Sequence, residues 1–381
     1  MVRAIQPRLL SGAEQIWTAE LLSKPSEIAA LAGRAAPLLE SRGATEGPRF
    51  FLASIAPGLW IPRVVVVKRG RKIEGIVYTK ERKLAGLPTG ILYGHSTLGT
   101  LVVAEPGLHG AVLEEALNFL LASKRTHGIR MLVPPQGFEQ AICERVVARS
   151  QGSRNQVEIS QRPDTSHQVV PLPASYESFL NSLSYKARRN MRYYRRRYEA
   201  AGHRYVERMD LAEFRRVAGR LLEKPLMGAT RDAVTRALSM FSEADHPLLA
   251  GLRRADGEWV SILGGWCEGN NAIVVFQMNN DHDYGTESLS VVLRAYFIES
   301  LISRGYRQVF FWGGVGGPVA RGAQPYPSVT VSLDAGTLRW RALRRLFVIL
   351  APRLPRRIRW AVEWVAPAPT DAPASAVPEL T

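Results

Sequence analysis

The chain has 381 residues, 46% of them apolar and 22% charged, and a formal net charge of +16. This excludes a wholly disordered chain and leaves room for two domains that each bury a core. Two widely separated cysteines, Cys143 and Cys267, exclude a disulfide framework and a zinc cluster and fit a reducing, cytoplasmic compartment.

In chain order, residues 1–57 form an expected N-terminal helical leader without the apolar core of a signal peptide, its clearest amphipathic helix spanning Lys24 to Ser41. Residues 58–172 follow as a first lobe. Its β-branched runs Ile61–Val67 and Ile73–Thr79 flank a turn containing Gly70, a hairpin pattern. A strand at Leu98–Val103, a helix at His109–His127, a strand at Ile129–Val133, a helix at Gly137–Arg149 and two short strands up to Pro171 complete it.

Residues 173–338 form the second lobe, and it opens on the most informative stretch of the chain. Tyr176, Leu180, Leu183, Ala187, Met191, Tyr194 and Tyr198 recur at spacings of three and four, one face of a helix expected over Tyr176–Gly202. Six arginines crowd Arg188–Arg197, with no acid from Leu180 to Tyr198 to form neutralising i,i+4 pairs. Lys186, Arg188, Arg189, Asn190, Arg192 and Arg196 are therefore candidate contacts for an anionic substrate or partner. Helices at Leu211–Glu223 and Arg231–Ala244 precede an antiparallel meander of Leu248–Arg254, Trp259–Cys267 and Ala272–Met278. A helix at Glu287–Arg304 and a strand at Arg307–Trp312 repeat the order of the first lobe. At an offset of 177 residues, Phe119-Leu120-Leu121 falls on Tyr296-Phe297-Ile298 and Gly128-Ile129-Arg130 on Gly305-Tyr306-Arg307, the pattern of an internal duplication.

At the end of the strand Ala272–Met278 the chain reads NNDHDYGTESLS and then turns helical. A strand, a polar turn with one glycine and a helix start together present free N–H groups and the positive end of a helix dipole to an anion. Gln277, Asn279, Tyr284, Gly285, Thr286, Glu287 and Ser288 are the candidate residues for such a phosphate-bearing group. Asp281 and His282 stand at the carboxyl end of that strand, where a base would meet a ligand, and His282 titrates in the useful range. No metal-ligand spacing stands out, and no metal is expected. The glycine-rich stretch after Trp312 lacks the lysine of a nucleotide loop, carries Pro318 and fits a lip over an acceptor site.

This order of elements resembles the GCN5-related N-acetyltransferase fold, in which the acyl-CoA pyrophosphate binds at the helix start after the central strand. The segment SLSYKARRNMRYYRRRYEAAG, Ser182–Gly202, is similar to the basic helix that opens the catalytic lobe of BioF2-like acetyltransferase domains. Its KARRN-M-R core also resembles FemABX peptidyltransferases, which share the duplicated architecture and take their acyl group from aminoacyl-tRNA. The resemblance spans roughly Val64–Leu333. It implies an α/β (α+β) fold of tandem acyltransferase-like lobes, each a mixed, mainly antiparallel sheet flanked by helices, the first degenerate and the second catalytic. It further implies acyl-CoA as cosubstrate, an amine acceptor of the amino-sugar, amino-acid or lipid-linked kind, and backbone donors for the oxyanion near Gln277–Asn279 if that strand splays. Tyr326 and Arg321 fall where related enzymes place a proton donor or acceptor contacts. The phosphate loop here, Asp283-Tyr284-Gly285-Thr286-Glu287-Ser288, carries one glycine where that family carries two small residues.

Residues 339–366 interleave eight arginines with Trp340, Phe347, Trp360 and Trp364. That mixture suits an anionic membrane surface, a helix packed on the lobe, or a single-stranded RNA. Residues 367–381 are small and proline-rich, a disordered-tail composition. The sequence thus points to a cytoplasmic acyltransferase that uses acyl-CoA, with peripheral association on the inner face of the membrane as one of the uses open to residues 339–366. A tRNA-dependent FemABX-type transferase is the alternative, and a non-catalytic basic adaptor the second alternative.

Overall fold

The structure is a computed structural model that describes residues 17–40, 42–95, 99–152, 156–223, 230–279 and 288–336, together with 340, 342, 345, 346 and 349. In chain order the elements are β1 (Trp17–Leu22), α1 (Pro25–Ala29), α2 (Leu31–Arg34), α3 (Ala36–Leu39), α4 (Pro48–Ala53), β2 (Trp60–Arg69), β3 (Lys72–Leu84), β4 (Leu87–His95) and β5 (Val102–Ala104). Then come α5 (His109–Ala122), β6 (Gly128–Val133), α6 (Phe138–Ser150), β7 (Val157–Asp164), β8 (Gln168–Pro171), α7 (Tyr176–Ser182), α8 (Tyr185–Ala200) and β9 (Arg204–Val206). The remainder is α9 (Leu211–Leu222), α10 (Arg231–Glu243), β10 (Pro247–Arg253), β11 (Trp259–Glu268), β12 (Asn271–Asn279), α11 (Leu289–Ser303), β13 (Gln308–Phe311), β14 (Gln324–Pro325) and β15 (Ser328–Ala335).

These elements divide into two compact units. Unit 1 comprises residues 1–27, 57–163 and 328–381, and unit 2 comprises 28–56 and 164–327. Each is built on one mixed, mainly antiparallel sheet with helices, as the sequence led us to expect. In unit 1 the strand order is β1-β2-β3-β4-β6-β15-β7, with β5 added beside β3. In unit 2 it is β14-β8-β13-β12-β11-β10-β9. Each sheet therefore holds an antiparallel meander, a helix, and a strand returning parallel to the last strand of the meander: β4 with β6, and β12 with β13. The strand beyond that parallel pair is antiparallel to it in both sheets, β15 in unit 1 and β8 in unit 2. The helix-to-strand junctions matched in sequence occupy equivalent places, although β13 starts at Gln308, so the aligned Gly305 lies in the turn before it.

The buried residues follow from the periodicity. Val65, Val67, Val77, Leu113, Leu117, Ile129 and Met131 are core in unit 1, while Leu180, Met191, Leu263, Val274, Val292, Phe297 and Val309 are core in unit 2. In unit 1 β15 is fixed to β6 by a buried ion pair, Arg130 NH2 to Asp334 Oδ1 at 2.6 Å, which two further acceptors of the guanidinium help to satisfy.

Several elements depart from expectation for local reasons. The single helix Lys24–Ser41 is three short pieces, and α3 starts afresh after α2 because Pro37 in its first turn has no N–H to continue the ladder. The helix Tyr176–Gly202 is two, because Ser184 leaves helical geometry and its hydroxyl caps Ala187 N of a new helix. Within the expected leader, Trp17–Leu22 is a strand paired with β2. The strand expected at Leu98–Val103 is observed at Val102–Ala104, and the helix expected to reach His127 ends at Ala122.

Candidate active site

The chemistry-bearing geometry of unit 2 begins with a parallel strand pair that stops early. β12 and β13 are registered from Asn271/Gln308 to Val274/Phe311, and Trp312 N donates to Val274 O at 2.9 Å. β13 ends there, while β12 runs on to Asn279, so the edge Val275–Asn279 has no strand partner on that side among the described residues. A β-bulge lies at the same level: Gly264 pairs Phe276 and Gly265 pairs Val274, leaving Val275 over. The two glycines permit it, since a Cβ on Gly265 would lie 1.8 Å from Ile273 O and one on Gly264 2.5 Å from the Phe241 ring.

Between the parted strands lies a cavity of about 290 Å³ lined by Gln277, Asn279, Ser288, Ser290, Val291, Arg294, Gly316 and Gly317. Ser288 sits at φ +49° immediately before α11, and its carbonyl already accepts from Val291 and Val292. The first N–H groups of α11, its positive dipole end and the serine hydroxyls therefore belong to the cavity wall. On the opposite wall Asn279 Oδ1 accepts from Ser261 Oγ at 2.5 Å and from Gln277 Nε2 at 3.4 Å, and the Asn279 amide nitrogen has no partner among the described residues. Arg294 bridges the walls, donating through Nε to Gln277 Oε1 at 2.9 Å and through NH1 to Gly316 O at 2.8 Å.

The lip Gly313–Gly317 is held from β8. His167 Nδ1 accepts from Gly313 N at 3.2 Å, Gln168 Oε1 accepts from Val315 N at 2.7 Å, and the His167 ring meets Trp312 edge-on. Burial lowers the affinity of the His167 imidazole for a proton below its ordinary range, which keeps Nδ1 an acceptor.

Of the residues singled out from sequence, Gln277, Asn279 and Ser288 line this cavity. Asp281, His282, Tyr284, Gly285, Thr286 and Glu287 lie outside the described residues. Tyr326 and Arg321 are not among the lining residues: the Tyr326 ring packs edge-on against Phe310, its N–H donates to His167 O, and burial pushes its phenol up. Arg321 is exposed at the end of a 3-10 turn, Gly317–Arg321. Sequence reasoning missed Arg294 and His167. Arg294 had a signal, the lone charge between Leu289 and Ile298 of its helix; His167 had none.

The second feature is the basic side of α8. Arg188, Arg189, Arg192, Arg196 and Arg197 border an open hollow of about 630 Å³ with Tyr185 and Tyr193, whereas Lys186 and Asn190 lie outside it. The cations are not equivalent. Arg192 pairs with Glu177 at 2.5 Å and Arg188 donates to Asn181 at 2.8 Å. Arg195 is bound to Glu199 and Glu299 and lies over the Tyr296 ring at 4.2 Å, so it fastens α8 to α11. Among the described residues no carboxylate pairs with Lys186, Arg189, Arg196 or Arg197. Nor does any group of His, Cys, Asp or Glu suited to a metal ion occur among them.

Residues 185–326 match the model of the acetyltransferase (GNAT) domain family. The fold is similar to L-PGS from Bacillus licheniformis, at TM-score 0.53 and 11% identity over 85% of this chain and 96% of that one. It is also similar to the C-terminal domain of a candidate lysylphosphatidylglycerol synthetase from Agrobacterium fabrum, at 0.52 and 10% over 86% and 97%. A conserved protein of unknown function from Bacteroides thetaiotaomicron gives 0.51 and 13% over 83% and 100%. No curated protein matches the chain in sequence. The match assigns an acetyltransferase (GNAT) domain to residues 185–326, and the sheet order is repeated in the two units.

Proposed function

We propose that unit 2 transfers an acyl group from a CoA thioester to the amine of an amino sugar, amino acid or lipid-linked glycan. The observation that carries this reading is the parting of β12 and β13 beside the start of α11, which offers a strand edge to a carbonyl and a helix N-terminus to a phosphate. In this reading Ser288, Ser290 and the first N–H groups of α11 hold the donor's phosphates, with Tyr284, Gly285, Thr286 and Glu287 before them. N–H groups of Gln277–Asn279 take the carbonyl oxygen as it gains charge.

Chemically, the amine lone pair attacks the thioester carbonyl carbon, the N–C bond forms, the C–S bond breaks, and the ammonium proton leaves to a base. His282 or Asp281 is proposed as that base. Tyr326, whose phenol stays protonated at neutral pH, is proposed to return a proton to the leaving thiolate. Arg321 is proposed to contact the acceptor. Lys186, Arg188, Arg189, Asn190, Arg192 and Arg196 are proposed to hold an anionic part of donor or acceptor.

A second reading, transfer from an aminoacyl-tRNA, is favoured by the cations on α8 that have no acidic partner among the described residues. Thermal unfolding of nuclease-treated protein against thioesters from acetyl to palmitoyl, with free CoA as reference, separates the readings. A rise in midpoint that depends on chain length supports the CoA donor. No shift, with tRNA binding that weakens steeply as salt rises, supports the second. Binding to lipid or nucleic acid with no turnover of either donor leaves only a non-catalytic adaptor.

A further inference from the structure

We propose that one end of the unit 1 sheet docks on an anionic phospholipid bilayer. This inference is independent of the donor bound in unit 2. The β3–β4 hairpin turns through Leu84-Ala85-Gly86-Leu87, with Leu84 paired to Leu87 and both turn residues at positive φ, +50° and +81°. Water-facing turns of this type favour asparagine, aspartate or glycine. Here the first turn residue is alanine, held where a side chain is strained, and no polar side chain occurs from Leu84 to Pro88. Leu84 is 44% exposed and Leu87 70%, and Leu59, whose carbonyl accepts from Lys83 N, is 47% exposed.

The topology adds a second apolar element at this same end. The parallel pair β4 and β6 opens at Ile91/Gly128, directly after the hairpin turn and the α5–β6 loop, and β15 finishes opposite Gly128 with Ala335 N donating to His127 O. The chain after β15 is pinned there by Trp340, which stacks on His127 with centroids 5.2 Å apart and donates from Nε1 to Asp334 Oδ1. Residues 340, 342, 345, 346 and 349 are helical, and Ala342, Leu346 and Ile349 fall on one helical face in the i, i+4, i+7 pattern. Leu346 is 51% and Ile349 67% exposed.

The charge at this end selects the partner. Lys83 donates to Pro57 O, Lys124 and Arg125 are exposed in the α5–β6 loop, and no carboxylate pairs with these three among the described residues. At the opposite end of the sheet most cations are neutralised, Arg69 and Lys72 by Glu74, Lys72 by Glu105, and Lys68 by Glu20, and only Arg71 in the β2–β3 turn has no carboxylate among the described residues. Exposed leucines beside cations that no described carboxylate neutralises match an interface of acyl chains under anionic headgroups. No helix among the described residues is long and apolar enough to cross a membrane.

The test is flotation of the full chain with vesicles of phosphatidylcholine, with or without phosphatidylglycerol, alongside sedimentation velocity without lipid. The expected result is binding to the anionic vesicles alone, weakened about tenfold or more by L84D/L87D and also reduced by L346D/I349D. K124E/R125E is expected to weaken binding and flatten its salt dependence. Because all these side chains are exposed, melting temperatures are expected to match the parent and serve as the folding control. Equal partitioning of the parent and L84D/L87D overturns the proposal, as does absence of binding to either vesicle. A dimer that L84D/L87D dissociates, without vesicle binding, assigns the patch to a second copy and overturns it equally.

Discussion

The two units share one strand order and differ where the order matters for chemistry. In unit 1 the parallel pair β4 and β6 stays registered from Ile91/Gly128 to His95/Leu132, the full length of β4 beyond the hairpin. Leu101 closes over it, so near that a Cβ on Gly94 would lie 2.4 Å from Leu101 Cδ1. In unit 2 the equivalent pair parts after Val274/Phe311, and polar groups line the gap. The register shift sits accordingly: between Glu81 and Lys83 near the hairpin tip in unit 1, and at Gly264/Gly265 in mid-strand in unit 2. One topology thus yields a closed core or an open wedge, and a bulge with its two glycines marks the difference.

The strongest way to break this comparison is Gly265→Val. Its Cβ would meet backbone at Ile273 O, which cannot move aside, so a loss above about 3 kcal/mol is expected from urea unfolding, together with loss of any donor-dependent stabilisation. Leu101→Ala is the counterpart in unit 1. It is expected to cost about 2–5 kcal/mol by the same measurement while leaving the donor-induced shift in melting temperature intact.

Val291→Trp sharpens the contrast by filling the wedge from a half-buried position. Donor stabilisation is expected to vanish in thermal shift with the ligand-free midpoint nearly unchanged. Arg294→Gln removes the cation that joins β12 to the lip, and about tenfold weaker donor binding by calorimetry is expected, since hydrogen bonds from a charged donor are worth about 1.5–3 kcal/mol.

The smallest effect is one of pH. The His167 imidazole binds a proton less readily folded than unfolded, so between its folded pKa and about 6.5 the unfolded chain carries the extra proton and stability rises with pH. The contribution is therefore present at neutral pH and lost as pH falls below about 6.5. His167→Asn is expected to flatten the decline in melting temperature over that window; an unchanged decline would remove His167 as its cause.

The fold was legible because its signals are local. Apolar runs broken by Gly70 and Gly257, and an apolar stripe through Leu180, Ala187 and Met191, each declare an element within a few residues. What stayed hidden depends on partners remote in sequence. β4 contains Pro88, Gly90 and Gly94, which suppress the strand signal, and it forms because Glu81 Oε1 takes Gly90 N and β6 pairs alongside. β15 joins unit 1 after the whole of unit 2 has intervened, a pairing no local pattern announces. At the site, Gln277, Asn279 and Ser288 followed from a strand leading into a helix. Arg294 and His167 act through contacts with Gly316 and Gly313 that only the folded lip creates.

Hydrogen exchange of both units with and without acetyl-CoA tests the central claim most directly, because it reads the wedge and its closed counterpart in one protein. The account predicts slowed exchange at residues 275–279 and in the first turns of α11, with none at 91–95 or 128–132 in unit 1. Protection at the unit 1 pair, or at neither pair while the thioester is bound, would contradict it.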